Sequence, residues 1–260
     1  MTDPLLVRVA RGKTYERVPV WCMRQAGRSL PEYRERKGDT PFMEAIRDVE
    51  LATELTMQPV RRYGVDGAVV YSDILTIPQA LGIKISIDGR VIIHNPLTED
   101  TDLQLSLDAF DADKLDFVYQ VVGRVKATLI AESLPDVAVI GFSGAPWTLL
   151  TYMLGDLTKD KNVTRRFAAR QPEKTAALLR VLSDAIVQYL DRQIQAGAHV
   201  VQMFDSWAGT IALEPLRSCI VPGYKYIIQS LKEKHPKIPF LLFAKGVSVS
   251  ELTTVPASVF

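Results

Sequence analysis

A chain of 260 residues, 47% hydrophobic and 23% charged, has the mix of an ordinary globular protein, which excludes a disordered or fibrous chain. Its 31 Lys+Arg against 30 Asp+Glu leave a formal net charge of +1, without the basic surplus of a protein that binds DNA or RNA in bulk. Cys22 and Cys219 are too few and too far apart for a four-thiolate zinc site or a disulfide scaffold.

No apolar run is long enough to span a membrane, and the N-terminus has neither a signal-peptide core nor an Arg/Ser-rich transit segment. The sequence therefore reads as a cytoplasmic protein, or a plastid one if a transit peptide is missing. Charge is uneven along it. Residues 1–40 carry nine Lys/Arg against five acids, and residues 98–116 carry seven acids against Lys114 alone. The acidic stretch reads as a solvated face.

In chain order, residues 18–23 read as a first strand. Phe42, Ile46, Val49 and Ala52 recur at helical spacing and predict a helix over 41–62. Residues 67–71 form a continuous apolar run, the signature of a strand buried on both faces. Residues 84–93 predict a hairpin turning at Asp88-Gly89. A helix over 110–132 and a strand over 137–141 follow. Pro172 opens a long helix with an apolar face that includes Leu178, Leu182, Ile186 and Tyr189. Strands over 200–204 and 239–243 flank a helix over 220–234. Strand–helix alternation implies a parallel sheet, either doubly wound or closed into a barrel. The dinucleotide fingerprint G-x-G-x-x-G is missing after the first strand. The candidate polar residues Arg24, Arg28, Asp73, Ser143, Ser206 and Lys245 all fall just past strand ends, where barrel enzymes keep their chemistry. The fold class read here is α/β, a (β/α)8 TIM barrel, with only about five of the eight units.

Arg24-Gln-Ala-Gly-Arg28 places two guanidinium forks on one short loop, an anion clamp or simply two surface arginines in a turn. Asp73 ends the second strand, either as a helix cap or as a fixed anion in a pocket. Ser143 lies in Gly141-Phe-Ser-Gly-Ala145, which lacks the second glycine of a nucleophile elbow. Neither His199 nor His235 lies where a catalytic base would be needed. Tyr152 reads as core, while Phe204-Asp-Ser206 puts a polar side chain at the mouth. No histidine or cysteine spacing suits a metal.

Taken together, Pro19-Val-Trp-Cys-Met-Arg-Gln-Ala-Gly-Arg28, Leu30-Pro-Glu-Tyr-Arg34, Ser72-Asp-Ile-Leu75, Pro78-Gln-Ala-Leu-Gly82, Gly141-Phe-Ser-Gly-Ala-Pro-Trp-Thr-Leu149, Thr151-Tyr-Met153 and Phe243-Ala-Lys245 resemble the uroporphyrinogen decarboxylase family in order and spacing. The resemblance covers residues 4–246. It implies a barrel acting as a homodimer, without metal or organic cofactor, as a carboxy-lyase in porphyrin and haem synthesis. The implied substrate is uroporphyrinogen, whose four acetates become methyls to give coproporphyrinogen and CO2. By the same resemblance Arg24 and Arg28 bind substrate carboxylates, and Gln25, Ala26 and Gly27 line their loop. Asp73 binds the pyrrole N–H groups and, with Arg24, takes part in catalysis. Tyr152 and Ser206 contact substrate side chains, while Phe142 and Phe204 form an apolar floor.

Ser29 and the Asp205-Ser206-Trp207 triplet depart mildly from the family pattern. The resemblance stops after Gly246, so the domain is read as 1–246, incomplete, with a non-matching tail over 247–260. Ending there is expected to leave the first and fifth strands without partners. Two other readings stand beside the decarboxylase: an inactive truncated form, and a related zinc- or corrinoid-dependent methyltransferase barrel.

Overall fold

Four of the apolar runs pair into one parallel sheet in the computed structural model, which describes residues 3–22, 29–99, 110–211 and 214–259. The N-terminal part consists of α1 (Leu5–Ala10), α2 (Pro31–Lys37), α3 (Phe42–Ala45), α4 (Val49–Tyr63), β1 (Gly67–Val69) and α5 (Thr76–Ala80). An antiparallel hairpin, β2 (Ile85–Asp88) and β3 (Arg90–Ile93), turns at Gly89, whose φ of 68° suits a residue without a Cβ. Next come α6 (Asp116–Ala131), β4 (Ala138–Gly144), α7 (Pro146–Met153), α8 (Asn162–Arg170) and α9 (Pro172–Ala196). The chain continues through β5 (Val200–Asp205), α10 (Glu214–Lys234), β6 (Phe240–Ala244) and α11 (Val249–Leu252).

The sheet runs β1-β4-β5-β6, all parallel and in chain order, with helices between successive strands. That succession is the arc of a β/α barrel. Side chains alternate between its two faces. On one face α1 lays Leu6 and Val7 over Ala138, Ile140, Val200 and Leu241, near the amino ends of the strands. The opposite face, with Val139, Val201, Met203 and Leu242, joins the main core under the helices.

Local chemistry explains most element boundaries. The Asp48 carboxylate accepts from Glu50 N and Leu51 N, both at 3.0 Å, and so starts α4. This cap splits the helix expected over 41–62 into α3 and α4. Pro146 and Pro172 occupy first-turn positions of α7 and α9, where a missing N–H costs nothing.

The expected first strand is corrected: residues 18–22 carry no strand pairing, and Met23 lies outside the described residues. Val18 and Val20 are 69% and 55% exposed, and of the described residues in this apolar run only Trp21 packs against the core. The segment meets the sheet at Asp66, whose N–H donates to the Val20 carbonyl at 2.7 Å and whose carboxylate accepts from Val20 N at 2.6 Å.

The outer edge of β6 is also not bare. Leu242 N donates to the Val259 carbonyl at 3.0 Å, Leu241 bridges Val259 in parallel, and Leu252 and Val255 are buried.

Candidate active site at the carboxyl ends of the strands

Three aromatic rings line the upper part of the face that α1 covers below. Phe142 and Phe204 meet edge to face at 5.7 Å and 80°, and Phe204 meets Phe243 at 6.1 Å. Phe142 is fixed through its backbone. The buried Gln193 side chain from α9 accepts from its N–H at 3.0 Å and donates to its carbonyl at 3.1 Å. Phe142 and Phe204 are both buried and form a continuous apolar contact toward the carboxyl ends of the strands.

Asp73 follows β1 and is half-buried. Its Oδ1 accepts from Leu75 N at 2.8 Å, and its carbonyl accepts from the Thr76 hydroxyl at 3.1 Å. The carboxylate therefore organises the turn into α5 while remaining on the strand-end side of the sheet. The cap reading of Ser72-Asp73 and the pocket reading are compatible.

Ser206 follows β5 and Tyr152 lies on α7; both are half-buried. One buried network joins their elements. Asp205 is fully buried and accepts from the Thr148 hydroxyl at 2.5 Å and the Tyr224 hydroxyl at 2.6 Å. Burial raises its carboxyl above the ordinary range, against the pull of these two hydroxyl bonds. Thr148 also accepts from Trp207 N at 3.2 Å and stands one helical turn before Tyr152.

Ser143 is 1% exposed and donates to the Gly144 carbonyl at 2.8 Å, which makes it a structural hydroxyl, as the missing glycine suggested. His199 immediately precedes β5, at the opposite end of the sheet from Asp73. Its Nδ1 accepts from Val139 N at 2.9 Å, and burial lowers its pKa to about 4. The clamp residues Arg24, Gln25, Ala26, Gly27 and Arg28 lie outside the described residues. Among the described residues no group of three or more His, Cys, Asp or Glu side chains is placed to hold a metal.

Sequence reasoning missed the roles of Asp205 and Lys161. Asp205 sits beside Ser206 on an apolar strand, and a carboxylate there is a signal in hindsight. Lys161 lies in a Lys-Asp-Lys run that reads as solvent-exposed, yet its side chain is 1% exposed.

A parallel sheet in chain order, with Asp73, Phe142, Phe204 and Ser206 at or near its carboxyl ends, defines a β/α-barrel enzyme of the kind that works on that face. The sequence matches the uroporphyrinogen decarboxylase (URO-D) family over residues 1–259, and the chain belongs to that family. It is 38% identical over 244 residues to a uroporphyrinogen decarboxylase of Salinibacter ruber, covering 93% of this chain and 68% of that protein. To the enzymes so named in Erythrobacter litoralis and Psychrobacter arcticus it is 41% and 40% identical, covering 89% and 93% of this chain. It spans 67% and 64% of those two proteins, so it extends over about two thirds of the length of these relatives. A solved methyltransferase from Methanosarcina mazei superposes with a TM-score of 0.75 over 99% of this chain and 76% of that one. At 17% identity, this likeness speaks for the barrel fold alone.

Proposed function

We propose that this chain decarboxylates uroporphyrinogen, converting its acetate side chains to methyls and releasing CO2 to give coproporphyrinogen. The reaction needs an electron sink next to each acetate. Protonating a pyrrole α-carbon makes a cation; the bond to the carboxylate then breaks, and its electron pair flows into the ring. CO2 leaves, the exocyclic carbon takes up a proton to become a methyl, and the ring α-carbon gives back the proton it gained, which restores the pyrrole.

In this reading Asp73 faces the pyrrole N–H groups and stabilises the ring cation, an effect strongest where water is excluded. Arg24 and Arg28 hold substrate carboxylates, with Gln25, Ala26 and Gly27 lining the same loop, and Arg24 assists the proton step. Tyr152 and Ser206 contact the side chains, and Phe142 and Phe204 carry the macrocycle. The substrate supplies its own electron sink, so the reading includes no metal or organic cofactor. It also takes the protein to be a cytoplasmic homodimer.

The observation that carries the reading is a half-buried carboxylate, Asp73, at the end of β1, in the same sheet as the Phe142–Phe204 contact, in a chain of this family. Asp73→Asn keeps the shape and removes the anion. Coproporphyrinogen formation by the full chain, followed by chromatography, is expected to fall about 100-fold or more. Near-wild-type turnover in that variant would overturn the role of Asp73.

A further inference from the structure

Lys161 is an unusual lysine. Its side chain is 1% exposed, and its ammonium stands 3.7 Å from the centroid of the Trp207 ring. An ammonium has three N–H donors. Here Lys161 donates to the Asp156 carbonyl at 2.8 Å and the Thr158 carbonyl at 2.5 Å, and its remaining charge faces the indole.

The loop around it is built to hold that geometry. The Asp156 carboxylate accepts from the N–H and hydroxyl groups of both Thr158 and Thr164, tying the start of α8 to the end of α7. Among the described residues the ammonium bonds to carbonyl groups, while the Asp156 carboxylate nearby favours its charge. Burial lowers the lysine's pKa, so the site keeps its cation against a desolvation cost.

The backbone of Trp207 is bonded on both sides, its carbonyl accepting from the Thr210 N–H at 3.0 Å and the Thr210 hydroxyl at 2.6 Å. Its backbone N–H goes to Thr148, which donates in turn to Asp205. Its indole N–H is buried and has no partner among the described residues. The ring packs against the main core, and the Lys161 cation is the polar group over its face. Trp207 directly follows Ser206, and Thr148 lies one turn before Tyr152. Lys161 consequently bears on the turn that carries Ser206, one of the side chains assigned above to the substrate.

We propose that Lys161 is a positioning residue: it holds the Trp207 ring, and so sets the Ser206 turn for binding the substrate's side chains without entering the chemical step. The proposal rests on the decarboxylase reading. It assigns to a lysine that does not touch substrate a share of substrate affinity.

Lys161→Met keeps the length of the side chain and removes the cation. In the full chain it is expected to raise KM for uroporphyrinogen about 5- to 10-fold with kcat within about twofold. The protein labelled with 5-fluorotryptophan supplies an independent readout, because Trp207 can be assigned among Trp21, Trp147 and Trp207 by substitution. Its fluorine resonance is expected to shift in Lys161→Met, while the other two stay in place.

An unshifted Trp207 resonance refutes the hold on the ring. A shifted resonance with unchanged KM, or a fall in kcat alone, refutes the positioning role. If Lys161→Met does not fold, Trp207→Leu carries the test, with the same KM rise expected and an unchanged KM refuting the proposal. Where both fold, the double variant should bind no more weakly than Trp207→Leu alone, and additive losses would show that Lys161 acts by another route. A wild-type chain without turnover refutes the decarboxylase reading instead, and the resonance still reports on the lysine's contact with the ring.

Discussion

Tyr224 on α10 donates its hydroxyl to Asp205 at the end of β5 at 2.6 Å, and both side chains are 1% exposed or less. This bond joins a helix of the outer layer to the strand end that carries Ser206. Asp205→Ala would strand the Tyr224 and Thr148 hydroxyls in the core. Calorimetry should show a loss of about 3 kcal/mol or more, and Tyr224→Phe, which leaves Asp205 one donor short, about 1–2 kcal/mol. Equal losses from the two variants would mean that Thr148 contributes nothing through Asp205.

His199 offers a test by pH. Its Nδ1 must be unprotonated to accept from Val139 N, and its folded pKa of about 4 lies below the ordinary 6.5. A base whose pKa falls on folding contributes stability that is fully present above its unfolded pKa. That stability is lost as the pH falls from 6.5 towards 4. The loss across this window should be on the order of 1–3 kcal/mol. His199→Gln can still accept from Val139 N but does not titrate. The pH profile of its melting temperature should be flatter than wild type over this range.

Asp66 has the opposite charge and the same direction of loss at a lower pH. Burial raises its pKa, but the paired bonds from Arg17 at 2.5 and 2.7 Å, with Val20 N, outweigh that and hold it below 3.8. Its contribution is present above 3.8 and disappears as the pH falls through the folded value. Asp66→Asn should melt earlier at neutral pH and lose less than wild type between pH 4 and still lower values. Arg17 is more than half exposed, so Arg17→Ala should do less harm than Asp66→Asn.

Gly209 marks where the loops after β5 and β6 meet. A Cβ there would stand 2.8 Å from Gly246 Cα and 2.9 Å from the Lys245 carbonyl, which also accepts the Gly209 N–H at 2.8 Å. The clash is with backbone, so no side-chain rotation relieves it. Gly209→Ala should cost about 1–3 kcal/mol in denaturant melts. A neutral outcome would mean that the two loops separate freely.

The sheet was largely legible because its strands are short apolar runs between helical patterns. The runs ending in Gly141, Phe204 and Phe243 all became β4, β5 and β6, and Asp88-Gly89 turned the hairpin. Where the reading failed, pattern and environment parted. Val18 and Val20 belong to an apolar run but face solvent, and the cap at Asp48 broke a periodicity that ran straight through it. Asp73 and the two phenylalanines stood out because they follow or close the apolar runs, and the structure places Asp73 after β1 and the two rings within β4 and β5. The burial of Lys161 was not, since nothing in Lys-Asp-Lys reveals that Trp207, 46 residues later, will cover it. The links from Asp205 to Thr148 and Tyr224, 57 and 19 residues apart, were hidden for the same reason.

The packing of α1 bears on the order in which the molecule can fold. Leu6 and Val7 are buried by Ala138, Ile140, Val200 and Leu241, and the Arg11 side chain donates to the Lys237 carbonyl at 2.9 and 2.5 Å. A helix of six residues does not persist unaided in water. Leu6 and Val7 therefore meet their first sheet partners, Ala138 and Ile140, only more than 130 residues later, and the last, Leu241, more than 230 residues later. Closing so long a loop is slow and comes late. Until then the lower face of the growing sheet stays open, and a chaperone that shields apolar strands would engage it there.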